Sequence, residues 1–166
     1  MEKLQWNKKI LGSELVISRG NEPIGSIRWH HLLSNKAQAL FNGKQFYLSK
    51  DQFSSRIEIL DGKDQAPLGR INVNPFNPMT DIVINGKRFE LEMKNFWQSK
   101  WTWKFNGAEI VTFTSYEFIT RDKGEIELFS TCNEEVEILI LLGLSLRNQF
   151  TLLILLITLL AILLIL

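Results

Sequence analysis

The chain has 166 residues, 45% of them apolar, with 19 Lys+Arg, 18 Asp+Glu and one cysteine. That is about one domain's length. A net charge of +1 without a clustered basic stretch argues against a nucleic-acid-binding protein, and a lone cysteine excludes an internal disulfide or a multi-cysteine metal centre. All the cations except Arg147, and all the acids except Glu134, Glu135 and Glu137, lie in residues 1–133, while apolar residues concentrate after Val136. The chain therefore divides into a mixed-polarity body and an apolar C-terminal part.

The N-terminus, MEKLQWNKKIL, has no apolar h-region, so no cleavable signal is expected and the body is assigned to the cytoplasmic side. From Leu4 to Thr131 the apolar residues alternate with period two, as in Ile57/Ile59, Ile71/Val73, Phe89/Leu91/Met93 and Trp101/Trp103/Phe105. This is the pattern of strands with one buried and one wet face. It predicts strands at 4–10, 14–19, 23–31, 36–42, 45–50, 55–60, 67–74, 79–85, 87–94, 99–106, 109–119 and 124–131. Asn42-Gly43, Asp61-Gly62, Asn85-Gly86 and Asn106-Gly107 are the pairs that tolerate positive φ in type I′ hairpins. Gly20-Asn21 and Lys123-Gly124 mark two further turns. Twelve strands joined by tight turns favour antiparallel closure, which removes exposed edges.

A segment repeats at an offset of 43–45 residues: Ile24-Gly25-Ser26-Ile27, then Asn42-Gly43-Lys44, then Asp61-Gly62 match Leu68-Gly69-Arg70-Ile71, Asn85-Gly86-Lys87 and Asn106-Gly107. A weaker third copy starts at Ile110-Val111-Thr112-Phe113. The repeat reads as a four-strand unit used twice, with partial units at each end. A propeller has a similar period, but too few copies are present to close one.

After Thr131 the pattern changes. Asn133 is placed to cap a helix whose first turn carries Glu134, Glu135 and Glu137, where the helix dipole favours negative charge. Ile138-Leu139-Ile140-Leu141-Leu142 then cover every face, so the helix must be buried. Residues 133–147 span only about 20 Å, short for a ~30 Å hydrocarbon core but long enough to thread a barrel. Ile138, Leu139, Leu141 and Leu142 are the expected barrel-core residues.

Phe150 to Leu166 carry no charge, Gly or Pro, and thirteen of these 17 positions are Leu or Ile. At roughly −0.3 to −0.6 kcal/mol per residue at mid-helix, such a segment favours the bilayer. Phe150, Leu152, Leu155, Leu159, Leu163 and Leu166 are its expected membrane residues. The expected fold is mainly β with C-terminal α: an antiparallel closed barrel of about twelve strands around a central apolar helix, with a transmembrane helix following. The division is 1–149 for the barrel domain and 150–166 for a C-terminal tail anchor. Arg147 before the tail, with no cation after it, assigns the barrel to the cytoplasmic side.

The Leu68-Gly69-Arg70-Ile71 strand, the Asn85-Gly86-Lys87 turn, Trp103 before Asn106-Gly107, and Glu137-Ile138-Leu139-Ile140-Leu141-Leu142-Gly143 come in a distinctive order and spacing. In these the chain resembles the tubby C-terminal-like fold, a group that includes the LURP-one-related proteins and the phospholipid scramblases. The resemblance covers roughly residues 4–147 and implies a barrel closed around the helix. In the family the helix stands at or near the end of the chain, whereas here a second apolar segment follows. The proline-rich and cysteine-rich stretches and the acidic calcium segment of scramblases have no counterpart in this sequence. The basic cluster with which tubby proteins bind phosphoinositides has no assignable counterpart either. The resemblance carries the fold and not the activities.

His30-His31 point to opposite faces if they lie on a strand, so they do not easily grip one metal. Cys132 stands alone at a strand-to-helix junction and reads as buried filler. No phosphate-binding, dinucleotide-binding, zinc-protease or EF-hand motif occurs, so neither enzymatic activity nor a cofactor is expected. Trp101, Trp103 and Phe105 share a face that reads as core. Phe96-Trp97 reads as core or as an interfacial anchor. Lys44, Lys63, Lys87 and Arg88 sit at hairpin tips, either solvated or facing anionic lipid. The leading expectation is a non-enzymatic membrane-tethered binding module. Its partner is membrane lipid or a protein, and not nucleic acid. The alternatives are a scramblase-like lipid-handling protein, or a soluble oligomer that buries the C-terminal segment.

Overall fold

The computed structural model describes residues 1–51, 56–72, 80–95, 99–117 and 121–165. Among these, twelve strands form: β1 (Glu2–Lys9), β2 (Glu14–Arg19), β3 (Glu22–Trp29), β4 (Lys36–Phe41), β5 (Lys44–Lys50), β6 (Arg56–Asp61), β7 (Pro67–Asn72), β8 (Thr80–Ile84), β9 (Lys87–Met93), β10 (Lys100–Phe105), β11 (Ala108–Glu117) and β12 (Arg121–Leu128). One helix, α1 (Glu134–Ile165), follows. The sheet order is β7-β6-β5-β4-β3-β2-β1-β12-β11-β10-β9-β8, all neighbours antiparallel. Pairing of β1 with β12, from Glu2↔Leu128 to Lys9↔Arg121, joins the two chain ends of the sheet. The result is a nearly closed barrel.

The seam lies between β7 and β8, which are the two ends of the sheet order. Side chains close it: a Cβ on Gly69 would stand 2.6 Å from Ile82 Cδ1. In the first copy of the repeat the equivalent strands β3 and β4 are paired, from Gly25↔Phe41 to Trp29↔Ala37. The repeat thus preserves strands and turns, while its pairing differs between the copies.

Asn42-Gly43, Asn85-Gly86 and Asn106-Gly107 have positive φ at both positions, 48° and 77°, 50° and 75°, 50° and 80°. They are the predicted two-residue turns. Two turn expectations are corrected. Asp61-Gly62 opens a longer connection whose left-handed residue is Gln65, at φ 57°; Asp61 and Asp64 carboxylates there accept backbone N–H bonds from Lys63 and Ala66. Lys123-Gly124 lies inside β12, which starts three residues earlier than expected. Gly124 is small because the Trp6 ring occupies its place: a Cβ there would lie 2.3 Å from that ring and 2.2 Å from the Thr114 carbonyl oxygen. The expected strand positions 55, 73–74, 79 and 118–119 lie outside the described residues, as do Phe96-Trp97 and Leu166.

The inward side chains of the strands and the first half of α1 form one core. Ile138, Leu139, Leu141 and Leu142 are at most 1% exposed, and burial continues to Thr151 with Gln149 half-buried. Trp101 stacks on Phe113 at 4.9 Å, and Trp6 packs on both. Gly143 gives the Phe113 ring its seat on the helix, since a Cβ would come within 2.6 Å of it.

The separate core and tail helices of the sequence reading are one continuous helix of 32 residues, about 48 Å long. Nothing between Leu144 and Ile165 is Gly or Pro, so no residue there breaks the ladder. Phe150, expected in the membrane, is only 5% exposed and belongs to the barrel core. Leu152 and Leu155 are half-buried where the helix emerges, while Leu159 and Leu163 are exposed.

Candidate membrane-docking mouth of the barrel

The strand register assigns every connection to one of two ends. At one end lie the short turns 20–21, 42–43, 85–86 and 106–107, the 62–66 turn and the approach to α1. At the other lie the connections after β1, β3, β5, β7, β9 and β11. The helix enters at the turn end and leaves through the second end, the mouth.

The turn end is built to hold the helix start. Asn133 Oδ1 accepts the Val136 N–H at 3.0 Å, and the Asn133 carbonyl accepts that of Glu137 at 2.9 Å, as an N-cap requires. Glu137, 4% exposed, accepts bonds from Asn42 Nδ2 and Lys44 Nζ, both at 3.0 Å. Glu135 accepts bonds from Lys87 Nζ at 2.9 Å and Asn85 Nδ2 at 3.4 Å. The Asn-Gly-Lys turn of each repeat copy thus grips one glutamate of the first helical turn. Lys44 is held above the ordinary lysine range, chiefly by its bond to Glu137. Arg88 pairs with Asp81. Three of the four turn cations considered for lipid contact are therefore neutralised within the fold, at the end the helix enters.

Near the mouth the interior becomes polar. Arg147, 5% exposed, sits with its Nε 3.4 Å from Asp122 Oδ1, and its Nη2 donates to Ser115 Oγ at 3.2 Å. Its guanidinium lies 5.8 Å from the Trp101 ring centre. Lys8, 3% exposed, points its ammonium at the Ile10 and Lys9 carbonyls, at 3.4 and 3.5 Å, beside the Trp29 ring. Burial pushes its pKa below the ordinary lysine value, and the Asp122 carboxylate partly offsets this. The core helix expected to end at residue 147 instead continues, and Arg147 meets this layer. Arg147 therefore carries no surface charge for the orientation argument built on it.

Outside the mouth, residues 152–165 project about 21 Å. Thr158 is their one polar residue, and its hydroxyl donates to the Ile154 carbonyl at 2.8 Å. Apolar exposure begins within a turn of the last buried residue, Thr151. No polar linker separates barrel from projection. Taken whole, the 32-residue helix is long and apolar enough to cross a membrane by length and composition, while its projecting part is shorter than a ~30 Å hydrocarbon core.

The mouth connections also carry exposed Leu11 and Leu33. His30 and His31 are exposed in the β3–β4 connection. Cys132 lies at the opposite end, half-buried beside Asn42, with its thiol pushed up by burial first and then by Glu137. That is the reverse of an activated nucleophile. Among the described residues no three His, Cys, Asp or Glu side chains are grouped to hold a metal.

No protein-family model, curated protein or solved structure matches the chain.

Proposed function

We propose that this chain is a non-enzymatic binding module tethered to a membrane by the outer part of α1, with the barrel on the cytoplasmic side. The observation that carries the reading is the continuity of α1. Its backbone passes without a break from the barrel core to the exposed projection, and beyond the polar residues Arg147, Asn148 and Gln149 inside the mouth no polar spacer precedes the apolar surface. A bare apolar rod of this kind is unfavourable in water and matches the interior of a bilayer, where every backbone bond of a helix is satisfied internally. The cytoplasmic orientation is supported by cations around the mouth, Lys9, Lys36, Lys100 and Arg121, since basic residues flanking a span favour that side. The relationship to tubby-like and LURP-one-related barrels remains part of this proposal and rests on the sequence resemblance.

The test is flotation of the full-length protein with neutral phosphatidylcholine vesicles, followed by alkaline extraction. The expected result is co-flotation that survives extraction. Protein that stays at the bottom of the gradient as a stable detergent-free oligomer would overturn the reading.

A further inference from the structure

We infer that the mouth of the barrel docks on an anionic lipid surface and reads its charge density, an inference that rests on the tethering proposed above. Four cations at this end, Lys9, Lys36, Lys100 and Arg121, are exposed and have no acidic partner among the described residues. The acids here whose side chains are described are already engaged: Glu14 binds Arg28, Asp122 is buried on Arg147, and Asp51 has its own contact. At the turn end the balance is reversed. Lys44 and Lys87 are tied to Glu137 and Glu135, while Glu22 and Asp64 stand exposed. The two ends of one barrel thus differ in charge, and the apolar helix leaves from the basic one.

The four cations are spread along the rim rather than gathered. Lys36 begins β4, Lys9 ends β1 opposite Arg121 on β12, and Lys100 begins β10. Such a ring cannot converge on one phosphate, but every member can meet a flat charged surface at once. Because the helix carries no spacer, a bilayer that receives residues 154–165 brings its headgroups against this rim. Exposed Leu11 and Leu33 lie in the same rim connections, and such side chains suit the headgroup boundary. A basic residue near an anionic leaflet gains roughly fivefold in partition, and this fades within a Debye length of added salt.

The experiment compares the full-length protein on phosphatidylcholine vesicles with vesicles containing one quarter phosphatidylglycerol, at low and high salt. We expect stronger partition onto the anionic vesicles, on the order of several hundredfold at low salt, collapsing at high salt. The variant with Lys9, Lys36, Lys100 and Arg121 all changed to Gln should bind both vesicles as the wild type binds neutral ones. Lys63→Gln at the opposite end should leave the preference intact. Equal binding of wild type to both vesicles overturns the inference and leaves the tether standing; failure to bind either overturns the tether. A preference retained by the four-residue variant, or abolished by a soluble phosphorylated headgroup, places recognition elsewhere and overturns the ring assignment. The salt series on wild-type protein needs no variant, so a folding defect in the substituted chain leaves that arm intact.

Discussion

The two halves of α1 are both rich in Leu and Ile and meet opposite surroundings. Residues 134–151 are wrapped by strands, and Val136 to Asn148 are buried without exception. Residues 152–165 hold almost nothing but Leu and Ile and face outward from Ile154 on. Apolar content says that a helix must be hidden, but not whether protein or lipid hides it. The sparse polar positions separate the halves. Glu137 and Arg147 are tolerated inside because the barrel brings hydrogen-bonding partners to their depth. In the projection the single Thr158 turns its hydroxyl back onto the helix.

This contrast predicts that similar substitutions have different consequences on the two sides of the mouth. Leu141→Asp puts an unpaired charge at a fully buried position and should cost roughly 5 kcal/mol or more, most of a domain's stability. Leu159→Arg with Leu163→Arg should leave the barrel's thermal transition unchanged, measured by circular dichroism in detergent. Those two arginines should instead raise the free energy of membrane insertion by roughly 6 kcal/mol, moving the protein to the soluble fraction.

Smaller effects come from the parts that shape the inner half. Asp122→Ala would remove a buried carboxylate that faces both Arg147 and Lys8 and should cost about 3 kcal/mol, measured by denaturant unfolding. Gly143→Val drives a side chain into the Phe113 ring, which is pinned by Trp101, and should cost about 1–3 kcal/mol. Lys8→Met should raise stability by about 1 kcal/mol at neutral pH, because a buried ammonium held by carbonyls and a ring, and only partly compensated by Asp122, is exchanged for an apolar chain. The sign of its pH dependence follows from the lowered pKa. Between the folded and unfolded values the unfolded chain binds more protons, so wild-type stability gains as pH rises through that window. The advantage of Lys8→Met should therefore shrink in alkali, which paired unfolding curves at pH 7 and near pH 10 would detect.

Much of the fold was legible because it rests on local rules. Period-two alternation located the strands, Asn-Gly located three turns, and Asn133 with the glutamates after it located the start of α1. The misreadings share one cause, a partner distant in sequence. Gly124 resembles a turn until Trp6 is seen beside it. Arg147 resembles the end of the core helix until Asp122 and Ser115 are brought to the mouth by β12 and β11. The basic rim is harder still. Lys9, Lys36, Lys100 and Arg121 have no common motif, and only the register of the barrel collects them at one end. The turn lysines were visible as a pattern, yet their role in gripping Glu135 and Glu137 depends on where the helix enters.

The central claim, one helix shared between barrel core and bilayer, is most directly tested by spin labels on full-length protein in phosphatidylcholine vesicles. With Cys132 replaced by Ser, labels at Leu159 and Leu163 would be compared with one at Arg28, an exposed position on the outer wall. Positions 159 and 163 should show high oxygen and low nickel-chelate accessibility, and position 28 the reverse. Labels at 159 and 163 that are immobile and closed to both reagents, as in a protein-protein core, or open to the chelate, as in water, would contradict it.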